Sequence, residues 1–215
     1  MAKLSDLIDV TEIYSEIPGN SLRQLTRHIR EAGLISSGGR GPGGAEMIVP
    51  DVVNLLIGLA SPTAKDAPVH ISRCRNAMLD SGDRFGSGND SHVFQDEDFG
   101  HALESLVGFA AYGHDQFGGN FEKNKVHYYE VTISRVPNVS YVEASITLDS
   151  IDSKTWKYDF FENNKIGTPK FSPNIINQIT IKKNLIDACS KVILQGFDLV
   201  PNLMHHPHNK RVISK

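Results

Sequence analysis

Cysteine is nearly absent from this sequence, with Cys74 and Cys189 the only two in 215 residues. Two thiols are too few for a disulfide scaffold or a four-thiolate zinc site. Both lie in helix-like, partly apolar stretches, which predicts buried free thiols. Long apolar runs are missing as well. Nowhere do about 18 apolar residues follow one another, as a membrane-spanning helix requires. The polar start from Met1 to Asp6 lacks the apolar core of a secretory signal. These absences predict a soluble, cytoplasmic protein with no membrane partner. Catalytic strings are missing too: no His-Glu-x-x-His, Gly-x-Ser-x-Gly or Cys-x-x-Cys accompanies His101, His114 or His127. A non-enzymatic protein without cofactor or metal is therefore expected. The tail run His205-His206-Pro207-His208 is read as terminal sequence with at most adventitious chelation.

A strong excess of charge of one sign is also lacking, since the net charge is −3. That total argues against a generic polyanion binder, but it conceals a gradient. Residues 1–60 carry −2, residues 61–164 carry −7 and residues 165–215 carry +6. Any contact with nucleic acid must then be local, and an acidic middle reduces nonspecific association.

What is present begins with a two-faced helical pattern between Ser21 and Gly33. At about 100° per residue, Leu22, Leu25, Ile29 and Ala32 fall on one side and Arg23, Arg27 and Arg30 on the other. A preceding helix is expected from Leu4, Leu7, Ile8, Ile13 and Ile17, stopped by Pro18-Gly19-Asn20. Asn20 or Ser21 is the expected cap of the second helix. A glycine-rich loop, Ser36 to Gly44, follows. Its Gly39-Arg40-Gly41-Pro42-Gly43-Gly44 satisfies a Gly-x-Gly-x-x-Gly string, but no strand precedes it, so the match to a dinucleotide site is accidental. Pro50 and Asp51 suit the first turn of a third helix. Val52 to Leu59 is apolar nearly all round, which places that helix between layers or at a dimer contact.

The order helix, tight turn, helix ending in Glu31-Ala32-Gly33-Leu34-Ile35, glycine-rich loop and helix resembles the winged helix-turn-helix of mercury-resistance-type regulators and phage excisionases. Val10-Thr11-Glu12-Ile13 matches the first helix, Ser21 to Arg30 the recognition helix and Ser36 to Met47 the wing, so the resemblance covers roughly residues 5–60. It implies a sequence-specific DNA-binding regulator of transcription whose partner is double-stranded DNA, and the excisionase likeness implies a phage or mobile-element origin. Arg23, Gln24 and Arg27, nearest the entering end, are then expected to read bases, because arginine bonds two acceptors of guanine and glutamine two groups of adenine. Ser21 begins the same helix, and His28, Arg30 and Arg40 are placed to hold phosphates. A homodimer is expected, since one short recognition helix covers few base pairs. Two other readings use the same residues: a DNA-packaging or nucleoprotein-assembly module, and a protein-binding inhibitor on a helix-turn-helix scaffold.

After Ser61-Pro62-Thr63 the pattern changes, dividing the chain into a DNA-binding unit, 1–61, and an α+β oligomerisation or sensing unit, 62–215. Val69, Ile71, Cys74, Ala77 and Met78 predict a short helix, and Ser81 to Asp90 a loop. Asp96, Glu97 and Asp98 open a helix through Phe99, Leu103, Leu106, Val107 and Ala110. From Val126 the period becomes two. Val126–Val136, Val139–Leu148 and Trp156–Phe161 read as an antiparallel meander with turns at Pro137-Asn138 and Asp149 to Lys154. Ile175 to Ile181 is either a further strand or the start of the last helix, whose apolar face runs from Leu185 to Leu194. Tyr128, Tyr141, Trp156 and Tyr158 are expected on one sheet face, to pack on the helices or to bind a partner or small ligand. The fold class is therefore α+β: an N-terminal winged helix-turn-helix, then an antiparallel sheet flanked by helices.

Overall fold

The computed structural model describes residues 3–37, 45–79, 94, 98–113, 121, 125–135, 142–162 and 177–195. It is an α+β arrangement of six helices and a five-stranded antiparallel sheet among those residues.

The first helix, α1 (Leu4–Ser15), starts where the Asp6 carboxylate accepts the Lys3 amide at 3.0 Å. It buries Leu7, Ile8, Val10 and Thr11. It ends short of Ile17, because proline disfavours helical backbone in the residue before it and Glu16 has turned left-handed at φ 59°. Pro18, expected as part of a stop, instead serves as the N-cap of α2 (Gly19–Glu31), whose first turn contains Gly19 and Asn20. Neither Asn20 nor Ser21 caps it. The acceptor comes from the preceding helix, where Glu12 Oε1 takes the Gly19 amide at 2.8 Å. The far end closes as a Schellman motif: Gly33 stands at φ 73°, its amide bonds Arg30 and the Leu34 amide bonds Ile29.

The third helix, α3 (Val49–Leu59), buries every residue except Pro50. This burial lies within the chain, since α3 packs against α2, α4 (Ala67–Arg75), α5 (Phe99–Tyr112) and α6 (Lys183–Gln195). Gly58 permits a close approach to α2, as a Cβ there would lie 2.7 Å from Ile29 Cδ1. Helix α5 is capped by Asp98, which accepts the His101 amide at 2.9 Å.

Five strands, β1 (Met78–Leu79), β2 (Val126–Arg135), β3 (Val142–Ser150), β4 (Thr155–Phe161) and β5 (Asn177–Lys182), lie in the order β1-β4-β3-β2-β5. The expected meander is β2-β3-β4, and the described part of the Ile175 to Ile181 stretch, from Asn177 onward, is strand β5 followed directly by α6. Met78 is a correction: it does not extend the helix of Ile71 and Cys74 but pairs with Phe161 as an edge strand. The aromatic face is a second correction. Tyr129 and Trp156 both flank Leu148 in register and point into the core with Tyr158 and Phe160, whereas Tyr128 pairs with Asp149 on the opposite face. A one-residue offset reverses the side of every strand residue, and Tyr129 rather than Tyr128 has the inward parity.

A continuous cluster of buried apolar residues runs from Leu7 through α3 and α5 to the inner sheet face and Val192. Both cysteines are buried, as expected. No helix among the described residues is long and apolar enough to cross a membrane. Several expectations fall outside the described residues: Arg40 and the Gly39–Gly44 string, the Ser81–Asp90 loop, Asp96, Glu97, His114, the Pro137-Asn138 turn, Tyr141 and the His205–His208 run.

Candidate nucleic-acid interface

Helix α2 is held by one face and exposed on the other. Leu22, Leu25, Thr26 and Ile29 are buried, and burying three aliphatic side chains stabilises the helix by about 1.5–3 kcal/mol each. Thr26 contributes no free hydroxyl, as its Oγ1 donates to Leu22 O at 2.9 Å. The opposite face sorts into three rows at helical spacing. Asn20, Gln24, Arg27 and Glu31 run up the middle at i, i+4, i+7 and i+11. Arg23 and Arg30 form a flank on one side, with Ser21 and His28 on the other. All are exposed except His28, which is half-buried.

Side-chain contacts divide the three arginines. Arg27 Nε donates to Glu31 Oε1 at 2.7 Å, and Arg23 Nη1 donates to Asn20 Oδ1 at 3.3 Å. Arg30 makes no side-chain hydrogen bond or ion pair among the described residues and acts on Glu31 only through its charge. His28 Nδ1 lies 3.8 Å from Glu31 Oε2. The hydrogen bond from Arg27 holds the Glu31 carboxyl below its ordinary range and pushes the Arg27 guanidinium further up. The middle row is thus a charged pair beside an unpaired amide, Gln24, and the concentrated positive charge lies on the Arg23–Arg30 flank.

Behind this face, buried polar groups fix where α2 ends and where the following loop returns. The Asp51 carboxylate, 3% exposed, accepts Ser36 N at 2.8 Å through Oδ1 and Ile48 N at 3.0 Å through Oδ2. One side chain therefore ties together both stems of the 37–47 segment. Described parts of that segment form neither helix nor strand. Asn54 Nδ2 donates to Leu34 O at 2.6 Å, and Arg75 bridges Asn54 Oδ1, at 2.9 Å, to Glu104. The end of α2 is thereby joined through α3 and α4 to α5.

Other candidate chemistry is weaker. His70 Nε2 lies 3.4 Å from Cys74 Sγ, but burial pushes the Cys74 thiol up to about 12, and a protonated thiol is a poor nucleophile. Among the described residues no group of three His, Cys, Asp or Glu side chains is arranged to hold a metal. A groove of about 760 Å³ between the end of α1 and β5 mixes aliphatic residues such as Ile13, Ile17 and Leu185 with polar ones, and its charged residues are one acid, Glu16, and one base, Lys182. It does not compete with α2 as a polyanion surface.

Of the residues singled out in the sequence, Ser21, Arg23, Gln24, Arg27, His28 and Arg30 share the solvent side of α2. Asn20 and Glu31, not among those residues, also lie on the exposed middle row. Their i+4 spacing to Gln24 and Arg27 is the signal that would have found them. Compared with family models, curated proteins and solved structures, the chain matched none of them.

Proposed function

We propose that this protein is a sequence-specific DNA-binding regulator of transcription that inserts α2 into the major groove. The observation that carries this reading is the exposed middle row of Asn20, Gln24, Arg27 and Glu31, flanked by Arg23 and Arg30, on a helix whose other face is locked into the core. In this reading α1, the Glu16–Pro18 turn and α2 are the helix-turn-helix, and Ser36 to Met47 takes the place of the wing by resemblance, a reading supported by Asp51 accepting the Ser36 and Ile48 amides. Residues 1–61 act as the DNA-binding unit and residues 62–215 as the oligomerisation or sensing unit. The regulator acts as a cytoplasmic homodimer on double-stranded DNA, without enzymatic activity. A phage or mobile-element origin rests on the resemblance of residues 5–60 alone.

The test is selection of random duplex DNA by the purified protein, with affinity measured as a function of salt. The regulator reading expects a compact, two-fold symmetric motif and a steep fall in affinity with salt. A steep salt dependence without a motif indicates a packaging or nucleoprotein module instead. No retention of DNA at moderate salt, together with capture of a protein partner through α2, indicates the inhibitor.

A further inference from the structure

We infer that Arg27 reads a guanine end-on through its two Nη groups because Glu31 holds its Nε, making Glu31 a positioning residue for base recognition. The inference rests on the DNA-binding reading of α2 and assigns roles within it.

A guanidinium has five N–H donors in a rigid plane. With Nε donating to Glu31 Oε1 at 2.7 Å, the near edge of the plane is engaged, and the two Nη groups make no hydrogen bond to another described residue. The Nη edge matches the O6 and N7 acceptors guanine presents in the major groove. Arg27 also stands on the central row, where a helix lying in the groove comes nearest the base edges. Arg23 and Arg30 stand off-centre, so they meet the phosphates of one strand. This moves Arg23 from the base-reading group expected from sequence to a backbone-holding role.

Gln24 is one turn before Arg27 on the same row and has no partner among the described residues. Three residues advance the helix by about 4.5 Å, close to the roughly 3.4 Å spacing of bases along one strand. Gln24 and Arg27 therefore address neighbouring base pairs, adenine and guanine respectively. A carboxylate on a DNA-facing helix repels phosphates, which is a cost that the Glu31–Arg27 bond offsets by orienting the reading group.

The experiment uses the full chain and the duplex recovered by selection, with each guanine replaced in turn by 7-deazaguanine, which lacks the N7 acceptor. The wild type is expected to lose about tenfold in affinity at one guanine, the lower part of the range for a lost bidentate contact. Arg27→Ala should bind more weakly and lose that sensitivity. Glu31→Gln should weaken the guanine preference several-fold while leaving sensitivity at other positions unchanged. Both residues are solvent-exposed, and melting curves check that the variants remain folded. If Glu31→Gln instead binds all duplexes more tightly with its guanine preference intact, the carboxylate only repels phosphate and the inference is overturned. It is overturned equally if Arg27→Ala keeps the wild-type sensitivity. If the wild type selects no duplex, the DNA-binding reading itself fails and this inference with it.

Discussion

Glu12 of the first helix caps the second by accepting the Gly19 amide at 2.8 Å. The turn between them is therefore closed by a carboxylate seven residues upstream. Glycine at 19 leaves room for this cap, since an added Cβ would meet the Glu12 carboxylate and that side chain would have to move. Glu12→Ala removes the acceptor and is expected to cost about 1–2 kcal/mol, the usual cost of a lost N-cap. Gly19→Ala should cost a similar amount by displacing the carboxylate, and the double variant should be little worse than either. Urea denaturation of the three proteins measures this; fully additive losses would show that the two residues act separately.

Asp51 holds two backbone amides across the base of the 37–47 segment. Asp51→Ala leaves both unsatisfied and is expected to destabilise by about 2–3 kcal/mol, because bonds to a charged acceptor are among the stronger ones. Hydrogen exchange should speed up at Ser36 and Ile48 before it does in α5. Unchanged exchange at both amides would contradict the clasp.

Gly58 lets α3 approach Ile29 of α2. A methyl group at this position meets Ile29 Cδ1, so Gly58→Ala should cost about 1–3 kcal/mol through overpacking. Ile29→Val in the same chain should recover part of that loss. Thermal melting of the pair tests the relationship, and a Gly58→Ala protein as stable as wild type would refute it.

His101 Nδ1 lies 2.8 Å from Asp98 Oδ2, and this bond raises the imidazole above its ordinary value of 6.5. A group whose folded value is raised contributes stability fully below its unfolded value and loses it as pH climbs through the folded value. The contribution is therefore present below the ordinary value of 6.5 and is lost as the pH climbs through the raised value, and it is small because the ring is largely exposed. An NMR titration should place His101 above a free histidine. Asp98→Asn, which retains the cap acceptor, should bring it back down.

Burial pushes the Cys74 and Cys189 thiols up to about 12. Cys189 has Thr11 Oγ1 for company at 3.6 Å, across the contact between α1 and α6. Neither thiol should react with a thiol-specific aromatic disulfide near pH 8 in the native protein, and both should react in denaturant. Rapid native labelling of Cys189 would show that α1 detaches from α6.

Much of the candidate interface is legible in the sequence. The apolar positions Leu22, Leu25 and Ile29 follow one stripe, so the opposite stripe has to face solvent. The third helix, apolar all round, has to be enclosed. The strand segments announce themselves by their period of two. Tyr128 and Trp156 are harder, because adjacent aromatics such as Tyr128 and Tyr129 leave the parity of a strand undecided until its neighbours set the register. Met78 likewise continues a helical pattern locally and becomes a strand only because the edge of β4 is there to pair with it.

The sequence by itself determined the strongly periodic helices, the β2-β3-β4 strands and which side of α2 is polar, because periodicity and turn residues act over a few positions along the chain. Only the tertiary structure decided what those elements do to one another. Glu12 capping Gly19, Asp51 joining Ser36 to Ile48 and Arg75 joining Asn54 to Glu104 are contacts whose longer reaches span 7 to 29 residues. Local propensity carries no information about such pairs, which exist because packing the apolar faces brings the polar groups within reach.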